Sequence, residues 1–275
     1  MLARRAGIML AIAVAAGAAQ QGLVSPCPGC GYPPESIDNA DRSGWTQIFD
    51  GTTLDGWDGN PAVWRVERGA ITAESTADRR VASTFIIWRG GEPGDFELKL
   101  EMKADADIHS GVFYRGQVGP NPPRPAATGR ATPPGGPRPQ PSLAVAADPR
   151  WNVRGYGLDF DYPLDNVGNV QDTTRAETQI GWRGHVVRMM PGQRPRAIAA
   201  IGDRDAMKAV VRQGDWNQLH IVARGATLTH IVNGQVMAVV LDDDAAARKS
   251  AGVIALQIEQ YGSGTVSFRN IWLKQ

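Results

Sequence analysis

The chain has 275 residues, which is long enough to bury a full hydrophobic core as one large domain, so length gives no reason to expect two. Its 29 Lys and Arg residues nearly balance 28 Asp and Glu residues, and the formal net charge is +1. The basic residues are also scattered along the chain, so the charge pattern argues against nucleic acid or an anionic membrane as a partner.

The first 21 residues have the pattern of a secretory signal peptide. Arg4 and Arg5 supply a positive start, an apolar run follows over residues 8–16, and small residues come next. We expect a signal peptide over residues 1–19 and a mature protein in the periplasm or outside the cell. The apolar run is shorter than the ~20 residues of a membrane span, so no stable membrane insertion is expected.

Residues 20–43 are rich in proline and poor in large apolar groups, which predicts a flexible tether that leads into the domain. Cys27 and Cys30 are the only cysteines of the chain and form a CPGC sequence in this segment. In an exported protein the expectation is a small disulfide loop between them. A lipid anchor on Cys27 is less favoured, because Pro26 occupies a position where a lipoprotein signal needs a small residue.

Strand signals dominate from residue 44 to the end of the chain. Glu67-Arg68-Gly69 lies between two strand-like segments, and Gly69 can take the positive φ of a tight hairpin turn. Residues 96–103 alternate apolar and charged side chains, the period of a half-buried antiparallel strand. Asn233-Gly234 predicts a second hairpin. One short helix is expected near residues 203–213, where apolar residues recur at helical spacing.

A proline-rich segment interrupts this pattern at residues 117–150. Ten of the 19 prolines of the chain fall between Pro120 and Pro149, and proline cannot donate to a strand ladder. The segment is therefore expected to be an irregular surface insertion between strands. It is either an insertion without function or a rim beside a binding face, because long loops in compact domains are often functional.

Two carboxylates stand out in the strand-like sequence GYGLDFDYP. Asp159 and Asp161 are two residues apart, which on a strand places both side chains on one face roughly 7 Å apart. Such a pair can share acid and base work, bind a divalent cation or grip sugar hydroxyls. The alternative is that one carboxylate only caps the turn that follows.

Two tryptophans are candidates for an exposed aromatic platform at a binding surface. Trp182 lies in a glycine-flanked segment, and Trp151 ends the insertion. Aromatic rings offer large apolar faces that remain useful when they are exposed at a binding surface.

Several motifs, taken together and in order, resemble the 3-keto-disaccharide hydrolase domain family. They are FDGTTLDGW (49–57), WRVERGAI (64–71), residues 85–115, GYGLDFD (155–161), GDWNQLHIVARG (214–225), VNG (232–234) and LQIEQYGSGTVSFRNIWLK (256–274). The resemblance implies an all-β, concanavalin-like jelly-roll sandwich of two antiparallel sheets over residues 44–275. It also implies action on glycosides whose sugar is oxidised at carbon 3.

The resemblance also implies particular site residues. Asp159 falls on the acidic position of the corresponding family strand, and NVQDTTR (169–175) adds Asp172 and Arg175 as substrate-binding candidates. Their alternative is an ordinary exposed salt bridge. Arg115 is a further candidate, because it is expected to end a strand next to the His109-Ser110-Gly111 turn. Its planar guanidinium also suits a ketone or adjacent hydroxyl oxygens.

The chain departs from the family pattern at two positions. His109 stands where relatives usually have Asn, and Glu259 stands where they tend to have His. Glu259 can replace a histidine as acid or base only if burial or a neighbouring carboxylate raises its pKa. Gln257, in the same LQIEQYG motif, is a candidate for binding the substrate.

The leading hypothesis is an exported enzyme that cleaves 3-keto-glycosides. A base, Asp159 or Glu259, removes the proton at carbon 2, Arg115 or His109 stabilises the enolate, and the glycosidic oxygen leaves before water adds. Asp161 either assists the leaving group or helps to hold a divalent cation. The alternative is a glycan-binding, lectin-like module without activity. A deep pocket that joins Glu259 with Asp159 and Arg115 favours catalysis, and a shallow aromatic groove favours binding.

Overall fold

The structure is a computed structural model that describes residues 42–105, 107–120, 143–161 and 164–275. The expected signal peptide, most of the tether, the Cys27–Cys30 pair and the middle of the insertion lie outside the described residues. Among those that are described, no helix combines the length and the apolar character needed to cross a membrane.

The described chain forms two stacked β-sheets. The larger sheet has ten strands: β1 (Thr46–Gln47), β3 (Trp64–Glu67), β4 (Ala70–Ser75), β6 (Phe96–Ala104), β11 (His185–Met189), β12 (Arg196–Ala200), β13 (Asn217–Arg224), β14 (Thr227–Val232), β15 (Gln235–Asp242) and β17 (Gly264–Lys274). The smaller sheet has seven: β2 (Trp57–Gly59), β5 (Thr84–Trp88), β7 (Ser110–Val118), β8 (Val153–Phe160), β9 (Val170–Asp172), β10 (Gln179–Gly181) and β16 (Val253–Ile258). The predicted all-β sandwich is confirmed.

Strand pairing is antiparallel except where β11 lies parallel to β15. In the smaller sheet the spatial order is β10-β9-β8-β7-β16-β5-β2, so β7 is the central neighbour of both β8 and β16. This order matters for function, because three strands far apart in sequence become adjacent.

Both predicted hairpins are present, and each turn has two successive residues with positive φ. Arg68 and Gly69 have φ values of 50° and 78°, and Asn233 and Gly234 have 49° and 81°. Two successive residues with positive φ form the turn that matches the twist of a hairpin, and Asn and Gly adopt that conformation at little cost.

The predicted short helix is present as a 3-10 helix, Ala206–Val210, and is shorter than the expected 203–213. The carboxylate of Asp203 accepts hydrogen bonds from the backbone N–H groups of Asp205 and Ala206, at 3.0 and 2.7 Å. Met207 is its one buried residue. With so little apolar surface to pack, a longer α-helix gains no tertiary support.

The main core lies between the two sheets, and side chains from alternate positions of the smaller sheet enter it, including Val112, Leu158 and Leu256. The opposite face of that sheet carries a second apolar cluster of Phe85, Ile87, Phe113, Val153, Val253 and Ala255. Trp151, in a 3-10 helix at Pro149–Trp151, packs against this cluster. The outer face of the smaller sheet is therefore partly covered, and its uncovered end is where polar residues collect.

Candidate active site

Three strand ends meet at one end of the smaller sheet. Strand β16 ends at Ile258, β7 begins at Ser110 and β8 ends at Phe160. Because neighbouring strands are antiparallel, the end of one lies beside the start of the next. Gly111 consequently lies opposite Gln257 on one side and Asp159 on the other.

A small pocket of about 110 Å³ occupies this end of the sheet. Its lining residues are His109, Ser110, Asp159, Asp161, Asn166, Gln171 and Glu259. A water molecule takes about 30 Å³ in the liquid, so the pocket holds about three or four waters. It is large enough for one edge of a sugar ring and too small for a disaccharide.

Asp159 is the most strongly perturbed acid of the pocket. Burial raises its pKa well above the ordinary value, and the charges of Glu259 and Asp161 raise it further. The side-chain amide of Gln171 donates a hydrogen bond to Oδ1 of Asp159. Burial and the neighbouring charges therefore favour the protonated form of Asp159, in which the carboxyl group can act as a hydrogen-bond donor.

Gly157 explains how Gln171 reaches Asp159. Gly157 is the cross-strand partner of Gln171, two residues before Asp159 on β8. A Cβ atom at Gly157 would lie 3.1 Å from Cγ of Gln171 and 3.0 Å from the ring of Phe113. The glycine therefore leaves the space across which the glutamine side chain extends.

Glu259 is the second perturbed acid of the pocket. Its backbone N–H donates to the carbonyl oxygen of His109 at 3.0 Å, which ties the ends of β16 and β7 together. Burial raises its pKa, and the charge of Asp161 adds to this effect. His109 and a hydrogen bond with the side chain of Gln257 oppose the rise. Two carboxyl groups with raised pKa values in one pocket are a candidate acid–base pair.

Asp161 closes the loop that follows β8. Its carboxylate accepts hydrogen bonds from the backbone and side-chain N–H groups of Asn166, at 2.9 and 2.8 Å. Asp161 thus caps the turn after β8, which was the alternative to a role in the site, and it also lines the pocket. In the described ranges no group of three or more His, Cys, Asp and Glu side chains is arranged to hold a metal ion. The cation at Asp159 and Asp161 stays a prediction.

The structure does not bring Arg115 to the pocket. Five residues separate it from Ser110 on β7, a distance of about 17 Å along a strand. Arg115 is completely buried, and its guanidinium donates to the carbonyl oxygens of Gly94, Gly225 and Lys249 and to Asp95. The prediction that Arg115 ends a strand beside His109 is wrong, because β7 continues to Val118 through a bulge.

Asp172 and Arg175 form an ion pair at 2.8 Å, away from the lining of the pocket. Lys249 contacts Asp172 at 2.8 Å, and Asp242 contacts Arg175 at 2.7 Å. Burial alone would raise the pKa of Asp172, but the hydrogen bond and charge of Lys249 bring it below the ordinary value. The pair is thus part of a buried network, in contrast to the exposed salt bridge that was the alternative.

The remaining predicted binding residues, Trp151, Trp182 and Gln257, are not among those that line the small pocket. The indole N–H of Trp151 donates to Asp58 at 2.8 Å, and the ring of Trp182 packs against the main core. Neither ring lines the small pocket. Gln257 is buried next to Glu259, and its Oε1 has no hydrogen-bond partner among the described residues.

An outer pocket of about 420 Å³ adjoins the small one and shares Glu259 with it. The rings of His109 and Tyr261 meet edge to face at 6.1 Å, with His109 in the small pocket and Tyr261 in the outer one. The described end of the insertion, including Leu143 and Pro149, also lines the outer pocket.

Sequence reasoning missed Gln171, Asn166 and Tyr261. Gln171 belongs to the motif that drew attention to Asp172, and the two side chains point to opposite faces of β9. The missing information was which face of the strand carries the site. The polar spacing around Asp159 gave no such indication, because both faces of this sheet bury apolar side chains.

The fold and the pocket together define a lectin-like β-sandwich with an acidic site at one end of its smaller sheet. A solved Bacillus subtilis protein of unknown function with a galectin-like fold matches with a TM-score of 0.50 and 8% identity, over 84% of this chain and 94% of that one. A candidate glycosyl hydrolase from Parabacteroides distasonis matches with a TM-score of 0.49 and 19% identity, over 84% of this chain and 98% of that one.

The model of the 3-keto-alpha-glucoside-1,2-lyase-like domain matches residues 44–274, and the chain belongs to this family. The resemblance inferred from its motifs is confirmed. A 3-keto-disaccharide hydrolase from Bacteroides thetaiotaomicron is 31% identical over 91 residues. That match spans 28% of this chain and 29% of the relative, so it covers less than a third of either protein.

Proposed function

We propose that the protein is an enzyme that cleaves 3-keto-glycosides by removing the proton at carbon 2 of the sugar. The observation that carries the proposal is the presence of Asp159 and Glu259 in one small pocket, both with raised pKa values. A ketone at carbon 3 makes the neighbouring proton at carbon 2 acidic. A positioned base together with a neutral hydrogen-bond donor at the ketone is the arrangement that such chemistry needs.

The joining of the two pockets at Glu259 suggests how the sugar is oriented. Carbon 3 with its ketone oxygen lies toward Asp159, carbon 2 lies beside Glu259, and the glycosidic oxygen on carbon 1 points into the outer pocket. The volume of the small pocket, about 110 Å³, agrees with this placement because only the edge of the ring has to enter.

In the first step, the Glu259 carboxylate takes the proton from carbon 2. The electron pair of the C–H bond forms a double bond between carbons 2 and 3, and the ketone oxygen becomes an enolate. Protonated Asp159 donates a hydrogen bond to this oxygen, and His109 supplies a second donor. A buried carboxylic acid is well suited to this role, since it is already neutral and already in place.

In the second step, the enolate reforms the ketone while a double bond forms between carbons 1 and 2. The bond from carbon 1 to the glycosidic oxygen breaks, and the leaving oxygen takes the proton that Glu259 holds. Glu259 is then ionised again. Addition of water across the new double bond, with its hydroxyl on carbon 1 and a proton on carbon 2, makes the net reaction a hydrolysis.

The test uses a 3-keto-glucoside and its unoxidised parent in deuterated water, with release of the aglycone and deuterium at carbon 2 as readouts. We expect release from the keto compound alone, with exchange at carbon 2. Glu259→Gln should abolish both signals, because an amide cannot accept the proton. Release from the unoxidised parent at the same rate would refute the proposal.

The role of Asp159 is tested by two substitutions. Asp159→Ala removes the donor to the ketone oxygen, and loss of one oxyanion donor lowers activity about 10²–10³-fold. In Asp159→Asn the amide oxygen can accept from Gln171 while the amide N–H donates to the ketone. The activity of Asp159→Asn should therefore be at least tenfold higher than that of Asp159→Ala. Equal and complete loss in both variants would instead make Asp159 a proton acceptor. A parallel assay with a chelator tests the predicted divalent cation.

The second candidate function is a glycan-binding module, which the shared lectin-like fold leaves open. Binding of the keto-glucoside without release or exchange would favour it over the enzyme. Export to the periplasm or beyond is also a proposal, and it rests on the N-terminal sequence pattern. Its test is the N-terminal sequence of the protein recovered from the cell exterior or the periplasm.

A further inference from the structure

The outer pocket differs from the small one in what it presents to a ligand. Two large apolar side chains line it: Leu143 is 41% exposed, and Tyr261 is 55% exposed. Across the described part of the chain, only five large hydrophobic residues are so exposed, and these two share one pocket beside Glu259. Exposed apolar side chains that converge in this way mark a binding surface more often than isolated ones do.

Three polar side chains of the outer pocket, those of Ser83, Asp148 and Asn152, already have hydrogen-bond partners within the protein. Asp148 accepts from the backbone N–H of Arg150 at 2.9 Å and pairs with its guanidinium at 2.7 Å. The side-chain amide of Asn152 donates to the carbonyl oxygen of Gly119, and the hydroxyl oxygen of Ser83 accepts from the backbone N–H of Gln260. A sugar carries a hydroxyl on most of its carbons and needs many matching partners, and these three side chains are not free to supply them.

The segment that carries Leu143 in the outer pocket is also held in place by hydrogen bonds to the rest of the domain. The backbone N–H of Ala144 donates to the carbonyl oxygen of Arg80 at 2.7 Å, and that of Ala82 donates to the carbonyl oxygen of Val145 at 2.9 Å. Val81 and Val145 form a parallel β-bridge. Leu143 directly precedes this attachment, so its side chain is presented next to a fixed backbone.

We propose that the outer pocket is the leaving-group site and that it accepts a leaving group with an apolar ring in preference to a second sugar. This inference rests on the proposed function, because it requires the glycosidic oxygen to face Glu259. Leu143 and Tyr261 contact the ring of the leaving group, and the junction at Glu259 places its oxygen where the proton is delivered. The substrate class is a 3-keto-glucoside of an apolar, ring-bearing alcohol.

The experiment compares the benzyl and methyl 3-keto-glucosides with a 3-keto-disaccharide whose leaving group is glucose. Benzyl alcohol and methanol are of similar acidity, so the ratio of their kcat/KM values reports contacts with the ring. We expect the benzyl compound to be preferred at least about tenfold over the methyl one, since apolar burial of a part of the ring gives a difference of this size. The disaccharide should also be a poorer substrate than the benzyl compound.

Leu143→Ser and Tyr261→Ala should each bring the benzyl-to-methyl ratio of kcat/KM to within about threefold. Ile198→Ala is the matched control, because Ile198 is an exposed apolar residue of β12 outside this pocket, at 53% exposure. An unchanged ratio in the two pocket variants, or a preferred disaccharide, would overturn the inference.

Binding of unoxidised benzyl and methyl glucosides, measured by calorimetry, separates this inference from the proposed function. One outcome is that no keto-glycoside is turned over, while the wild type binds the benzyl glucoside more tightly than the methyl one and Leu143→Ser does not. The apolar binding site would then be supported and the proposed enzyme activity refuted. If keto-glycosides are turned over without any benzyl preference in rate or binding, the enzyme stands and the apolar leaving-group site is refuted.

Discussion

Replacement of Arg115 by alanine separates a structural role from a catalytic one. Arg115 is fully buried and donates to three backbone carbonyl oxygens at 2.9, 2.8 and 3.1 Å. Its ion pair with Asp95 at 3.1 Å is weaker, because the Asp95 side chain is 58% exposed. Without the guanidinium these three carbonyl oxygens lose their donor, and each buried polar group left unpaired costs about 1–3 kcal/mol.

We therefore expect Arg115→Ala to lower the free energy of unfolding by about 3–5 kcal/mol, or Tm by roughly 10 °C for a domain of this size. Urea denaturation followed by tryptophan fluorescence measures this loss. The control is Arg188→Ala, which removes a half-exposed partner of Asp243 and should cost less than about 1 kcal/mol. Unchanged stability together with lost turnover of the keto-glucoside would contradict the structural role and return Arg115 to the chemistry.

Three further outcomes follow from the titrating groups. The kcat/KM profile should be bell-shaped, with an acid limb above pH 4.5 from Glu259 and an alkaline limb from Asp159. Gln171→Ala removes a donor that favours the ionised carboxylate of Asp159, so the alkaline limb should move to higher pH. An unmoved limb would count against the contact between Gln171 and Asp159. Asp159→Asn should stabilise the fold increasingly as pH rises above 3.8, because Asp159 loses its proton at lower pH in the unfolded chain than in the folded one. Equal shifts in Tm at pH 5 and pH 8 would contradict this prediction. Burial lowers the pKa of His230 from 6.5 to about 4, so the protein should lose roughly 3 kcal/mol of stability as pH falls from 6.5 to 4. In His230→Gln the free energy of unfolding should depend less on pH over this range. An identical slope in both proteins would be evidence against a neutral His230.

The local features of the fold were predictable because short-range sterics determine them. Period-two alternation indicated strand β6, and the Asn233-Gly234 sequence indicated a turn with positive φ at both residues. The 3-10 helix was predicted in place but not in length, because the extent of a short helix depends on how much of its surface packs against the rest of the protein.

The candidate site was predictable in part. His109, Asp159 and Glu259 were singled out by residue type and by family resemblance, and the structure brings all three to one pocket. Arg115 was grouped with them because it is close in sequence to His109. Along an extended strand six residues span about 20 Å, so proximity in sequence did not mean proximity in space.

The sequence by itself determined which segments are strands, where the chain turns and which family the domain belongs to. These properties depend on side-chain alternation, on the backbone freedom of Gly and Asn, and on motifs read in order. Only the tertiary structure decided that the ends of β16, β7 and β8 meet, that Gln171 and not Asp172 faces the acids, and that Arg115 is buried elsewhere. Strand order and the choice of face follow from packing across the whole sandwich, and no local window of sequence contains that information.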